Sequence, residues 1–295
     1  MISFLAVSLA IAAASALPHA KRNNDGEITD TVVLNYALTL EHLENTFYHE
    51  ALSNYTQDDF TNAGLPEWAR GRFVEIGAHE QSHVDTLTSV LGDSATQACE
   101  YNFPAHDPQS FAALSQILEG VGTSAYAGAA KYLQSSDALT AAAVILSTEA
   151  RHAAWVASAI HLENPWSGAY DTALTFNEVY SLASAFIVSC PESNPTLPFK
   201  AFPTLSLGDG KPGDSVSVAY ANGTDTDGDM YVAFFSGLDK TFVQVTDGQV
   251  TIPGDLKGAV YAVATNNATA ATDDTTIAGP AILAFPYGPD GNLLD

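Results

Sequence analysis

Two Glu-x-x-His motifs on separate helix-like segments constrain the fold of this chain more than any other feature. The motifs are Glu80–His83 and Glu149–His152. Residues at positions i and i+3 lie one turn apart on the same face of an α-helix, so each motif presents a carboxylate and an imidazole side by side. Because the chain has only eight histidines in 295 residues, we do not expect two such motifs by chance. They favour a fold in which two helices direct the same pair of side chains at one centre.

Apolar residues recur at three- and four-residue spacing from Asp30 to about Val188, in a sequence rich in alanine. This periodicity predicts α-helices. Asp107 followed by Pro108 supports the start of the third helix, because Asp is a favoured N-cap and Pro fits the first helical turn. The long connection 92–108 can cross the length of a bundle and join two parallel helices. The predicted helices cover residues 28–54, 66–91, 109–133, 136–161 and 171–188.

The C-terminal part of the chain has a different pattern. From Leu197 to Pro289, short alternating apolar runs are separated by Gly, Asp, Asn and Thr, which predicts strands and turns. Three prolines in the junction 190–198 end the helical part. We therefore predict an α+β multidomain chain, with a bundle of four core helices plus a fifth at 28–190 and a small all-β sandwich at 197–290.

Acidic and imidazole groups at core-facing positions of a helical bundle need partners, because the bundle interior is otherwise apolar. One such position occurs on each of the first four predicted helices. Glu, then Glu-x-x-His, then Glu, then Glu-x-x-His is the ligand set of a di-metal carboxylate bundle, in which two of the Glu bridge cations about 3.5–4 Å apart. Iron and manganese both accept this set. The candidate ligands are Glu41, Glu80, His83, Glu119, Glu149 and His152.

Glu44 competes with Glu41 on the first helix, since the two lie one turn apart. Tyr48 follows Glu41 by seven residues, and Tyr126 follows Glu119 by the same interval. Seven residues make two helical turns, so each Tyr shares a face with its Glu. This repeat favours Glu41 as the ligand, with Glu44, Tyr48 and Tyr126 supporting the site without binding metal.

An alternative without metal stays open for these residues, in which the acids and histidines form a buried network or lie on solvated faces. His49 and His79 are next to the motifs in sequence but off their face, so we expect both at the surface.

The segments Tyr36–Tyr48 and His79–Asp85 resemble the secreted ferritin-like domain family, which includes fungal stress-response and late sexual-development proteins and desiccation-related proteins. The resemblance covers about residues 28–190, and residues 273–280 are similar to the tail of fungal members. It implies a ferritin-like bundle with a di-iron or di-manganese site, and it implies no known reaction. Packing into a ferritin cage is not expected, because an appended β domain and glycans would obstruct it.

The ends of the chain and its sequons predict export. Residues 1–16 form an apolar run that ends in small residues, typical of a signal peptide, and 17–22 end in a dibasic site typical of a propeptide. N-x-Ser/Thr sequons predict glycosylation at Asn54, Asn222 and Asn267. In an oxidising compartment we expect Cys99 and Cys190 to pair. The predicted location is extracellular or the cell wall.

The formal charge of −24 excludes partners that depend on electrostatic attraction to a basic surface. Neither nucleic acid nor an anionic membrane fits such a chain. The favoured hypothesis is an exported, metal-binding protein that is redox-active toward O₂ or peroxide in a stress or developmental setting. The competing hypothesis is a non-enzymatic stress or cell-surface protein, with the bundle as scaffold and the β domain as a binding module for cell-wall polysaccharide.

Overall fold

The computed structural model describes residues 28–221 and 229–294. The predicted signal peptide 1–16, the predicted propeptide 17–22 and the sequon at Asn222 lie outside these residues. None of the helices in the described ranges is long and apolar enough to cross a membrane. The helices are α1 (Asp30–Asn54), α2 (Gln57–Asn62), α3 (Ala69–Leu91), α4 (Pro108–Ala129), α5 (Ser136–Trp155) and α6 (Phe176–Ala183).

The first four predicted helices correspond to α1, α3, α4 and α5, and local capping explains where they begin and end. Thr29 caps α1 by accepting a hydrogen bond from the Val32 amide. Asp107 and Ser110 form a capping box at the start of α4, with Pro108 in the first turn as predicted. Helix α3 ends at Gly92, whose φ of 55° favours glycine. In the bundle, α1 packs against α3, α4 packs against α5, and α1 also contacts α4.

The prediction of a fifth helix over 171–188 is wrong in its length. Helix α6 covers only Phe176–Ala183 and starts at a capping box between Thr175 and Glu178. After it, the chain turns into strand β2 (Ile187–Ser189), which pairs with β1 (Glu100–Tyr101). The β-branched residues at 187 and 188 favour this extended conformation.

A disulfide joins Cys99 to Cys190, so the predicted pairing is confirmed. It lies next to the β1–β2 pair, in which Glu100 is opposite Ser189 and Tyr101 is opposite Ile187. The bridge spans 91 residues of sequence and stabilises the fold by about 4–5 kcal/mol if chain entropy dominates. The connection between α3 and α4 is therefore fixed to the end of the helical part.

Two antiparallel sheets form the C-terminal region. One has the strand order β3-β4-β7 and the other the order β6-β5-β8-β9. The strands are β3 (Leu205–Leu207), β4 (Ser215–Tyr220), β5 (Tyr231–Ser236), β6 (Asp239–Gln244), β7 (Gln249–Thr251), β8 (Gly258–Thr265) and β9 (Thr276–Phe285).

The four-stranded sheet is the middle layer of the molecule, and strand β5 shows why. Val232 and Phe234 point into a core shared with the three-stranded sheet. The alternate residues Ala233 and Phe235 pack into the core of the helical bundle. Both faces of β5 are therefore buried. The predicted α+β architecture, with a helical part followed by a β part, is confirmed, while the proposed domain limits stay a prediction.

Candidate metal centre

Four helices bring the candidate ligands to one point in the bundle. The carboxylates come one from each of α1, α3, α4 and α5, and none of the four has exposed surface. Each imidazole lies one turn after the carboxylate on α3 or α5, as the i, i+3 spacing predicts. The residues brought together are Glu41, Glu80, His83, Glu119, Glu149 and His152.

These side chains form two groups that share two members. The first group is Glu41, Glu80, His83 and Glu149, and the second is Glu80, Glu119, Glu149 and His152. Within each group, the ligand atoms all lie within 4.8 Å of one another. Glu80 and Glu149 therefore belong to both groups, and each group adds one Glu and one His of its own.

His83 faces three carboxylates. Its Nδ1 lies 3.2 Å from both Glu41 Oε2 and Glu80 Oε2, and 3.1 Å from Glu149 Oε1. The side chain is 11% exposed. The Nδ1 atom of His83 therefore lies close to carboxylates from three different helices.

His152 faces Glu119 and Glu80, and a second histidine contacts its outer side. Its Nδ1 lies 3.0 Å from Glu119 Oε2 and 3.3 Å from Glu80 Oε1. Its Nε2 lies 2.9 Å from Nδ1 of His79, and the two rings are stacked. His79 is exposed, as predicted, and its ring also contacts His152 of the second motif. The periodicity of α3 alone could not indicate this contact, because His152 is on α5.

The two tyrosines hydrogen-bond the carboxylates crosswise. Tyr48 on α1 donates to Glu119 on α4 and lies 2.7 Å from Ser115 Oγ. Tyr126 on α4 donates to Glu41 on α1 at 2.5 Å. Each Tyr therefore orients the Glu of the other half and not the Glu on its own helix.

Glu44 is buried next to the centre but belongs to neither ligand group. Its carboxylate forms no hydrogen bond with another described residue. Gly122 on α4 makes room for it, because a Cβ atom at position 122 would lie 3.0 Å from Glu44 Oε1. This placement agrees with the preference for Glu41 over Glu44 as the ligand on α1.

The acid pKa values shift in opposite directions across the cluster, because burial raises them and neighbouring imidazoles lower them. Desolvation raises the pKa of Glu41 to about 7 and raises the pKa of Glu149 and Glu44 well above the usual range. Desolvation also opposes ionisation of Glu80, but two neighbouring imidazoles outweigh it and hold its pKa at about 2. Glu80 is therefore the acid with the strongest tendency to carry charge in the metal-free centre.

The close packing of charged groups also shifts the pKa values of the two imidazoles. Burial alone would lower their pKa values, but the surrounding carboxylates raise the pKa of His83 to about 12 and that of His152 to about 9. Without metal, both histidines therefore act as cations at neutral pH. Metal binding would require them to lose these protons, since a bound imidazole is neutral at the ligating nitrogen.

Hydrogen bonds alone leave part of this centre unsatisfied. Glu80 Oε1 and both carboxylate oxygens of Glu149 are buried without a hydrogen-bond partner among the residues that the structure describes. The imidazole nitrogens near them lie at ion-pair distance but are not aligned as donors. An unpaired buried carboxylate costs several kcal/mol. The unsatisfied oxygens belong to the two shared Glu, so the donor set fits two cations of the iron or manganese type.

Two predicted glycosylation sites lie within the described ranges. Asn54 is exposed at the end of α1. Asn267 is half-buried, and its side-chain oxygen accepts hydrogen bonds from the amides of Thr269 and Ala270. Glycosylation at either residue stays a prediction.

Comparison with known proteins shows what the helical part is similar to. Residues 29–162 match the family model described as the ferritin-like domain. The chain is also 28% identical over 176 residues to "Protein rds1" of Schizosaccharomyces pombe. That match covers 59% of this chain and 43% of the relative, so the chain spans less than half the relative's length. All six candidate ligands lie inside the matched region. The helical part of this chain is therefore similar to a ferritin-like domain, and it has a cluster of buried Glu and His side chains that could hold metal.

Proposed function

We propose that this chain is an exported ferritin-like protein whose centre binds two iron or manganese ions and uses them for redox chemistry with O₂ or peroxide. One observation carries the proposal: the two ligand groups share Glu80 and Glu149. Two independent cation sites would not need common carboxylates, and a hydrogen-bonded network would not leave oxygens of these two residues without partners.

The residues of the candidate centre would have different roles. Glu41 with His83, and Glu119 with His152, would each hold one ion, and the shared carboxylates would screen the repulsion between the two ions. Bound iron or manganese would supply electron transfer to or from an oxygen species. The surrounding bundle excludes bulk water, because all four carboxylates are fully buried.

Tyr48 and Tyr126 position the carboxylates that belong to only one half of the centre. Burial raises the pKa of each tyrosine well above its ordinary value, so both hydroxyls stay protonated and keep donating. A carboxylate held by such a donor has less freedom to rotate away from a cation.

Export and a stress or developmental role rest on different support. The Cys99–Cys190 disulfide suits an oxidising compartment. The resemblance of the helical part to secreted ferritin-like proteins adds the biological setting. An extracellular or cell-wall location, with the two N-terminal processing steps, is therefore part of the proposal.

Metal analysis of the full chain, purified from a eukaryotic secretory host, tests the function. We expect about two equivalents of iron or manganese per chain, and loss of both in Glu80→Gln and Glu149→Gln. Glu75→Gln is the matched control, because Glu75 is an exposed acid on the same helix as Glu80. Wild-type protein without metal after incubation with Fe²⁺ or Mn²⁺, or equal metal content in all variants, would overturn the proposal.

A second candidate function is binding of cell-wall polysaccharide. Trp166 and Tyr170 expose 64% and 62% of their surface, and Trp166 borders a depression whose lining includes the polar residues Asn164 and Asp171. Exposed aromatic rings next to polar groups suit a sugar surface. Co-sedimentation of the full chain with glucan or chitin, compared with Trp166→Ala, tests this candidate. Equal sedimentation of the two proteins would count against it.

A further inference from the structure

A mostly apolar cavity of about 210 Å³ opens beside the candidate metal centre. Residues of α1, α4, α6 and β9 line it. Its floor is formed by the buried residues Leu43, Glu44 and Gly122, and its rim includes the exposed Ala185 and Thr204. The cavity therefore runs from the surface of the molecule to the carboxylate of Glu44.

Glu44 has an unusual environment at this floor. It is only 4% exposed, and its carboxylate forms no hydrogen bond with another described residue. The Glu44 oxygens are not fully enclosed, so a hydroxyl group in the cavity can hydrogen-bond to them in place of water. The lining around it is mostly aliphatic and aromatic, with Ser181 and Thr204 as further polar residues, so the cavity offers a carboxyl anchor at its floor within largely apolar walls.

Gly122 connects the cavity with the metal centre. A Cβ atom at this position would lie 3.0 Å from Glu44 Oε1 and 3.4 Å from Glu149 Oε2. The absence of a side chain at 122 thus leaves only a short gap between the cavity floor and a shared carboxylate of the candidate centre. A molecule anchored on Glu44 would lie next to the proposed metal ions.

We propose that this cavity binds a small, mostly apolar organic molecule with one hydroxyl group, of the size of a substituted phenol, as the substrate of the neighbouring centre. The hydroxyl group bonds to Glu44 and the hydrocarbon part contacts residues such as Leu43 and Phe186. An apolar cavity of about 150 Å³ holds benzene, so 210 Å³ accommodates a ring with one or two substituents. The role as substrate rests on the proposed function, whereas binding itself does not.

Two probes of nearly equal shape test the cavity, 4-methylphenol and 1,4-dimethylbenzene. Each is titrated by ligand-observed NMR into the full-length, metal-free protein. We expect saturable binding of both, with 4-methylphenol binding about tenfold more tightly because only its hydroxyl group bonds to Glu44. Glu44→Leu should abolish this preference and still bind 1,4-dimethylbenzene. An unchanged preference in Glu44→Leu, or no saturable binding to the wild type, would refute the proposal.

A rim substitution tests the location. Ala185→Trp should weaken binding of both probes at least about tenfold by filling the entrance. Ala143→Trp is the matched control, because Ala143 is exposed on α5 and does not line the cavity. If Ala185→Trp fails to fold, Ile117→Trp on the α4 side of the rim replaces it. Equal binding in the rim and control variants would place the probes elsewhere and overturn the proposal.

The same probes separate this proposal from the metal function. In protein loaded with Mn²⁺, 4-methylphenol should change the electron paramagnetic resonance spectrum, and Ala185→Trp should remove the change. Protein that binds 4-methylphenol but no metal would disprove the metal function and leave the binding cavity intact. Protein that binds metal but not 4-methylphenol would disprove the cavity proposal alone.

Discussion

The two halves of the candidate metal centre carry the same residue types in different surroundings. Each half has a Glu, a Tyr seven residues later, and a Glu-x-x-His motif on the next long helix. The first half is on α1 and α3, and the second is on α4 and α5. The candidate ligands follow this repeat in residue type and spacing, whereas the residues around them differ between the two halves. The repeated Glu and His residues are the ones that cation binding requires. The surrounding residues differ between the halves and could give one half an additional function.

The clearest difference is at the position three residues after the first Glu of each half. The first half has Glu44 there, and the second half has Gly122. The Glu44 carboxylate lies where a side chain at 122 would be. Glu44 and Gly122 both line the cavity. The position at which the two halves differ is therefore also where we propose that an organic ligand binds.

Two smaller differences concern the support of the ligands. His79 contacts His152, but its counterpart Thr148 bonds to the Val144 carbonyl of its own helix. Ser115 hydrogen-bonds Tyr48, but its counterpart in the other half is Ala37. The second half therefore has an additional imidazole behind its histidine, and Glu119 is held by a tyrosine that itself has a second partner.

The largest expected effect separates shared from unshared carboxylates. Glu149→Gln should reduce bound metal from about two equivalents to none, whereas Glu41→Gln and Glu119→Gln should each leave about one, because each removes a ligand of one group only. Equilibrium dialysis with Mn²⁺, followed by elemental analysis, measures this directly. Equal loss in all three variants would show that the two halves do not bind separately.

The pH dependence of stability tests the histidines in the metal-free protein. The folded pKa values, about 9 for His152 and about 12 for His83, exceed the unfolded value of about 6.5. Their stabilisation is thus complete below pH 6.5 and decreases as the pH rises, up to about 9 for His152 and about 12 for His83. His152 should contribute a decrease on the order of 3 kcal/mol between pH 6.5 and 9.

Urea denaturation in EDTA at several pH values measures this decrease. His152→Gln should make the decrease between pH 6.5 and 9 less steep by removing the His152 contribution, and it should leave the contribution of His83, which continues up to about pH 12. Saturating Mn²⁺ should reverse the trend over the acidic range, since ligand protons compete with the cation. A metal-free protein whose stability rises from pH 6.5 to 9 would contradict the described charge state.

His79 and Thr148 form a matched pair for the next effect. His79→Ala should weaken metal binding about 10- to 100-fold in the second half, because a partner behind a ligating imidazole fixes its orientation and basicity. Thr148→Ala should leave the affinity unchanged, since Thr148 bonds only to its own helix. Calorimetric titration with Mn²⁺ measures both variants. A similar loss for Thr148→Ala would remove the asymmetry between the halves.

Sequence periodicity selected candidate ligands that the structure brings together, because periodicity determines which residues share a face of one helix. Glu80 with His83, and Glu149 with His152, depend only on that local geometry. The periodicity of one helix does not predict which residues of other helices it contacts. The repeat placed Tyr48 on the face of Glu41, but Tyr48 bonds to Glu119 because the facing helix brings that carboxylate closer to its hydroxyl.

The same limit explains the other differences. The burial of Glu44 depends on the missing side chain at Gly122 of another helix, which no pattern within α1 could indicate. The stacking of His79 on His152 likewise depends on how α3 and α5 pack. The shortened α6 reflects competition from β1, whose pairing with residues 187–189 is non-local.

The smallest effect concerns the two tyrosines. Tyr48→Phe should cost about 2 kcal/mol, because Glu119 loses a donor and the fully buried Ser115 hydroxyl loses its partner. Tyr126→Phe should cost about 1 kcal/mol, since Glu41 alone loses a donor. Adding Ser115→Ala to Tyr48→Phe removes the unpaired hydroxyl and should bring the two costs together. Urea denaturation in EDTA compares the three proteins, and equal losses in the single variants would show that the two halves hold their tyrosines alike.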